Sequence, residues 1–359
     1  MINARIIKSA AAALLVSLSL TACDPPIPAS ILAVQSELEV QCEDGEVSVV
    51  FPESMTDLSL NWSDSLAFSC ENMQIVSQDN SVTDADIVIS EPSLMAGRCT
   101  PFATVPVAID AAVLVVNIPD FFEVFLSPEQ IVEIFNGTIT NWSDPKLATL
   151  NGDFPLPDLP IVLPTEATAS AKAALSEWIG RAAGTPLDLS GLADTTEFNE
   201  IFLAAPAEEG AISIASYSAA SYLASAIVSV VLDPNDPLTF VRPEYTSLLS
   251  ATTQLTSSIE GNALKVALDP TIEPQAEAGL EEVIAPYQAI YLMDMALCGE
   301  DTTLKRTMAR YLLRQDSQGL ILSATLMALP EAIRTEAIGI VIVGLPVPTP
   351  SETQESDQG

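Results

Sequence analysis

The chain has 359 residues, with 13 Lys plus Arg against 48 Asp plus Glu and no histidine. A formal charge of -35 leaves no surplus of cations to neutralise phosphates, which excludes nucleic-acid binding. Without histidine there is no Ser-His-Asp or Cys-His catalytic device and no histidine metal site, while an apolar fraction of 48% is ample for the core of one large or two modest domains.

In chain order, Arg5 and Lys8 form a short basic region ahead of an apolar run over 9–22 that ends in Leu20-Thr21-Ala22-Cys23. So short a run reads as the hydrophobic part of a signal peptide rather than a membrane span. The Leu-Thr-Ala-Cys string resembles the lipobox of bacterial lipoproteins. That implies a signal peptide over 1–22, diacylation of Cys23, and a mature chain anchored to the cell membrane on its extracytoplasmic side. Removal of 1–22 leaves 11 basic residues against 48 acidic, a charge of -37. Residues 23–43, with Pro25, Pro26 and Pro28, read as a tether. With Cys23 carrying lipid, Cys42, Cys70, Cys99 and Cys298 remain. An even number in an exported chain reads as two disulfides, with three connectivities open. A metal site is the competing reading, but no CxxC pair supports it.

Residues 47–51, 73–76 and 86–90 predict strands. The nearly uncharged run 102–117 is broken by Pro106 and predicts two consecutive strands, and 289–298 has the same character. Ser127-Pro128-Glu129-Gln130 opens a helix with a serine cap, a proline at the first helical position and a glutamine three after the cap. Ile131, Ile134 and Phe135 give its apolar face and Gly137 its stop. Asp144-Pro145 marks a second helix start, 168–183 a third helix ended by Gly184, and 301–314 a fourth. On that last helix Arg306, Arg310 and Arg314 share one face, read as a solvated cationic stripe, with docking to an acidic partner or lipid surface as the alternative. Strands alternating with helices make the chain α/β. Residues 346–359 read as a disordered tail.

The string Ile134-Phe135-Asn136-Gly137-Thr138-Ile139-Thr140-Asn141-Trp142-Ser143-Asp144-Pro145 carries the most specific information. It resembles the signature of the phosphate-binding proteins of bacterial ABC importers, Ile-Phe-x-Gly-x-Ile-x-x-Trp-x-Asp-Pro. The flanks agree in order. Residues 108–119 resemble a strand ending in Asn-Ile-Pro that crosses between lobes, and Gly210-Ala211-Ile212 with Tyr217 resembles a Gly-Ala-Ile-Gly-Tyr segment. Residues 286–297 resemble the return strand, and 304–337, with Leu329-Pro330, the closing helices. The resemblance implies a two-lobed type II periplasmic-binding-protein-like fold, each lobe a sheet flanked by helices, with two hinge crossover strands and ligand in the cleft. It assigns 44–107 plus 290–345 to lobe 1 and 108–289 to lobe 2. Because the crossover strands lie together, it pairs Cys99 with Cys298 and leaves Cys42 with Cys70. Trp142 is expected to be structural, packing a corner.

In that family phosphate is held by a loop after the first strand, a Ser-Asp pair, and an Arg-x-Asp-Gly-Ser-Gly-Thr segment opening a helix. Carried over, the first loop falls at Phe51-Pro52 followed by Glu53 and Ser54, and the pair at Ser90-Glu91. The third segment falls at 164–171, where arginine, aspartate and glycines are absent and Thr165, Thr168 and Ser170 offer hydroxyls. Ser77, with Gln78, stands in place of a Gly-Ser-rich helix. A hydrogen bond to a charged group is worth roughly 1.5–3 kcal/mol, so loss of the arginine weakens anion binding by about tenfold to a hundredfold. The implied function is a monomeric, membrane-anchored solute-binding lipoprotein, without cofactor or catalysis, that captures phosphate or another small oxyanion for an ABC permease. The substitutions at 165–171 motivate an alternative: a non-transporting sensing, adhesion or scaffold lipoprotein with a degenerate pocket.

Overall fold

The computed structural model describes residues 40–342, apart from residues 153, 196, 198–200, 237–238 and 277–282. The signal peptide, Cys23, most of the tether and the tail lie outside the described residues.

The chain opens with β1 (Gly45–Val50), helix α1 (Thr56–Ser69), β2 (Met73–Gln78), β3 (Ile87–Ser90) and the short α2 (Pro92–Met95). β1 pairs in parallel with both β2 and β3, as α/β crossovers require. The sixteen-residue β4 (Pro101–Val116) then leads out of this sheet. It is followed by β5 (Glu123–Leu126), α3 (Pro128–Phe135), β6 (Glu166–Ala167), α4 (Ala169–Ala183) and β7 (Ala193–Asp194). Next come β8 (Ile212–Ser216), α5 (Tyr217–Tyr222), β9 (Ala226–Val231), β10 (Phe240–Val241) and α6 (Tyr245–Thr252). A hairpin of β11 (Leu255–Glu260) and β12 (Ala263–Leu268) precedes the return strand β13 (Ile290–Cys298). Helices α7 (Thr303–Leu312), α8 (Gln315–Gly319) and α9 (Glu331–Val341) close the chain.

β4 is the hub. Its first part, from Pro101 to Ala111, runs antiparallel to β13, which also pairs with β3. From Ala112 onward β4 pairs instead with β8 and β9, and β9 carries β5 and β10. One strand thus pairs in two sheets, with β13 up to Ala111 and with β8 and β9 beyond it. The β11–β12 hairpin pairs with β4 at Ala263–Thr104, on the part of the strand that also pairs with β13.

The local signals explain these elements. Ser127 Oγ accepts the Gln130 N–H while Gln130 Oε1 accepts the Ser127 N–H, a reciprocal cap that starts α3. The signature tryptophan, Trp142, is fully buried and donates through Nε1 to Gly210 O at 2.9 Å. Gly210 has φ +84, and a Cβ there would meet Pro160 O at 2.3 Å, so this corner admits only glycine.

Three expectations are corrected. The run 102–117 is one strand, not two: Pro106 lies opposite Asp294, where the register shifts between Met293 and Asp294, and a bulge tolerates a missing N–H. Asp144-Pro145 begins no α-helix. Asp144 accepts the Lys146 N–H, a 3-10 turn follows at Leu147–Thr149, and the Asn151 amide then takes over backbone groups of Phe125 and Leu147. The arginine stripe is buried, not solvated. Arg306 grips Asp301 at 2.5 and 2.7 Å and donates to the Ile340 and Val341 carbonyls at 3.1 Å, capping α9, while Arg314 pairs with Asp316. What looked like a cationic face binds internal carboxylates and helix-end carbonyls.

Cys42 is bonded to Cys70 and Cys99 to Cys298. The second closes a loop of sequence separation 199, joining the start of β4 to the end of β13. Replacing both Cys99 and Cys298 by serine is expected to lower stability by about 2–5 kcal/mol, measured by urea denaturation of oxidised protein.

Candidate functional site

Where β4 changes sheets, segments distant in sequence converge on two buried carboxylates. Asp110, the last-but-one β4 residue paired to β13, is fully enclosed. Its Oδ2 accepts the Ser218 hydroxyl at 2.5 Å, and its Oδ1 accepts the N–H groups of Ala111 at 2.7 Å and Ser218 at 3.2 Å. Ser218 belongs to α5, whose cap Ser216 accepts the Ala219 N–H. The hydroxyl of Ser54, from the 3-10 turn after β1, lies 3.2 Å from that of Ser218. Since Ser218 spends its only proton on Asp110, Ser54 is the donor. The turn after β1, helix α5 and strand β4 are joined in one short relay.

Glu91 is the second carboxylate, 2% exposed at the start of α2. The hydroxyls of Thr168, Ser170 and Ser93 surround it, yet neither of its oxygens completes a hydrogen bond. Thr168 caps the fifteen-residue α4 by accepting the Ala171 N–H at 3.2 Å. Glu91 therefore occupies the positive end of a helix dipole, the position an anion would take.

Burial pushes the Glu91 carboxyl up to about 7, against the hydroxyls of Thr168, Ser170 and Ser93 and with help from the Asp110 charge. Burial likewise pushes Asp110 up to about 6, opposed by the Ser218 hydroxyl and by the Ala111, Ser218 and Tyr217 backbone groups. The groups acting most strongly on the two acids include no lysine or arginine. The arrangement offers hydroxyl donors and carboxyl groups that exchange a proton near neutrality. It suits a ligand that brings a proton.

Of the sequence-predicted set, the structure brings together Ser54, Glu91, Thr168 and Ser170. Ser90 is buried beside them at the end of β3. Phe51 is buried against Trp62, with ring centroids 6.1 Å apart, and serves the core. Ser77 and Thr165 are exposed and share no hydrogen bond with the cluster. Asp110, Ser216 and Ser218 were missed. The signal for Asp110 was available: it is the lone charge in the run 102–117, and such a buried charge requires partners.

Residues 76–296 match a family described as a PBP superfamily domain. The chain belongs to the PBP superfamily. Among curated proteins no match is found. A phosphate-binding protein from Stenotrophomonas maltophilia shares 14% identity with this PBP-superfamily chain, with 82% of this chain and 94% of that one covered and a TM-score of 0.51. A human phosphate-binding apolipoprotein shares 13% over 82% and 93% at a TM-score of 0.50. A high-affinity periplasmic phosphate-binding protein, solved with phosphate, shares 13% over 82% and 93% at 0.52. At such identities the likeness shows the fold: the two-lobed type II architecture that the resemblance implied. Among the described residues, no helix is long and apolar enough to cross a membrane.

The two carboxylates set a pH dependence for this PBP-superfamily protein. Each has a folded pKa above its unfolded value, so the folded state holds protons that the unfolded state has already released. Their contribution to stability is fully present below about pH 4, is lost as pH rises to about 7, and amounts to roughly 3 kcal/mol per carboxylate. Glu91→Gln should remove about half of that fall and stabilise the protein above neutrality, checked by urea denaturation across the range.

Proposed function

We propose that this protein is an extracytoplasmic solute-binding protein that delivers a proton-bearing small oxyanion, with phosphate in its monoanionic form the leading case, to an ABC permease. The convergence of the Ser54, Ser218, Thr168 and Ser170 hydroxyls on the buried acids Glu91 and Asp110 carries this reading. Hydroxyls donate to ligand oxygens, the α4 amide end supplies positive potential, and Glu91 and Asp110, when protonated, no longer repel a monoanion such as dihydrogen phosphate, whereas sulfate stays doubly charged beside acids tuned by no lysine or arginine. The fold shared with phosphate-binding proteins supports it. Closure of the proposed lobes, 44–107 plus 290–345 around 108–289, would enclose the ligand without chemistry, as in hinge-closing binding proteins. The lipid on Cys23 would hold the protein to the membrane as a monomer.

One observation favours a second reading. Ser54 and Ser218 already touch across the cleft, and Glu91 itself lies at the α4 N-terminus. On that reading the carboxylate replaces a ligand, and the protein is a non-transporting sensing, adhesion or scaffold lipoprotein.

Calorimetric titration with phosphate and sulfate at about pH 5.5 and about pH 8 separates the two. The transport reading expects phosphate to bind at least about tenfold more tightly at the lower pH, where Glu91 and Asp110 are protonated, and sulfate not to bind. Silence from both anions at both pH values favours the second reading. Cys23→Ala should move the protein from the membrane to the soluble fraction on ultracentrifugation, and persistent membrane association would defeat the anchor.

A further inference from the structure

Outside the carboxylate cluster, a half-open trough of about 340 Å³ runs along α4. One wall is a single helical face, Ser170, Ala173, Ala174, Glu177, Trp178 and Arg181, at spacings of three and four residues. At roughly 1.5 Å of rise per residue, this wall is about 16 Å long from Ser170 to Arg181. The opposite wall is β12, where every residue from Leu264 to Leu268 borders the trough. Consecutive lining of this kind means that the strand presents its edge, not one face. That edge is unladdered: β12 pairs fully with β11, but with β4 only at Ala263. The β13 floor adds Ile290 and Leu292.

The two ends differ in charge. At the Ser170 end the floor carries Asp294, which makes no hydrogen bond and no ion pair among the described residues; Lys265 acts on it only from a distance. Burial raises the Asp294 carboxyl to about 6, which leaves it mostly ionised at neutral pH and short of a cation. At the far end stands Arg181, partly exposed, with one guanidinium nitrogen on Gln288 at 2.8 Å and another 3.4 Å from Glu177. A ligand that satisfies both ends needs an ammonium and a carboxylate about 16 Å apart. An extended peptide advances roughly 3.3–3.6 Å per residue, so four or five residues span that distance. An extended backbone also hydrogen-bonds to a bare strand edge, and its alternate side chains meet apolar walls.

We propose that this trough binds short unblocked peptides in extended form along β12, with the N-terminal ammonium at Asp294 and the C-terminal carboxylate at Arg181. This site borders the oxyanion cluster at Ser170 but relies on Asp294 and Arg181, which that cluster does not use, so neither proposal depends on the other.

The test is calorimetric titration of the full mature protein with tetraalanine, N-acetyl-tetraalanine and tetraalanine amide. Tetraalanine should bind, and each cap should weaken binding by about tenfold or more, the scale of one lost charged hydrogen bond. In Asp294→Asn the acetyl cap should cease to matter, and in Arg181→Gln the amide cap should cease to matter. Each variant should keep the wild-type response to phosphate, whatever that response is. No binding of tetraalanine, equal binding of all three peptides, or cap penalties that persist in the variants would overturn the proposal.

Discussion

The antiparallel ladder between β4 and β13 constrains the rest of the molecule, because both strands are nearly enclosed and one of them must serve two sheets. A strand buried on both faces has to be almost wholly apolar, and β4 is, except where it passes from one sheet to the other. There the chain places Asp110. Enclosing a carboxylate among alanines and valines is tolerable only if donors meet it, and the turn into α5 supplies Ser218. The polar cluster thus lies where topology leaves a seam, as ligand sites in open α/β sheets do.

The chemistry of that seam follows from a shortage. A chain with only 13 basic residues has committed several of them to structure: Arg306, Arg314 and Arg334 are buried against Asp301, Asp316 and Glu331, and Lys305 meets Asp86. None is among the groups that chiefly tune Glu91 and Asp110. Without guanidinium, two enclosed acids reduce their charge by holding protons instead. Helix amides and hydroxyls can stabilise an anion, but only alongside acids that have given up their own charge.

Much of the fold was legible because its signals are local and redundant. The Ser127 cap, the Gly184 stop and the Thr168 start each follow from short-range backbone chemistry. The twelve-residue signature is explained by a corner at which distant segments meet: Trp142 donates to Gly210, and Gly210 donates in turn to Asn117 at the end of the crossover. Non-local facts were harder to read. The arginine stripe looked solvated because helical spacing reports a shared face and not what covers it. Pro106 looked like a strand break because the bulge beside it, where Val107 is the extra residue of β4, shows only in the pairing with β13. In the site, Glu91 and Thr168 came from aligning loops with a family pattern, whereas Ser216 and Ser218 lie outside that pattern and are brought to Asp110 by the β4–β8 pairing. Phe51 sits in the right loop, but its ring turns into the core.

The Cys99–Cys298 bond also decides how such a molecule can move. It rivets the outer tips of the two linking strands together, so neither can slip past the other by a register step without breaking a covalent tie. Freedom is left at the opposite end, beyond Ala111, where the partners diverge. Asp110 sits one residue short of that divergence, at the far end of the ladder from the covalent tie, like the point where two blades soldered at one tip begin to part.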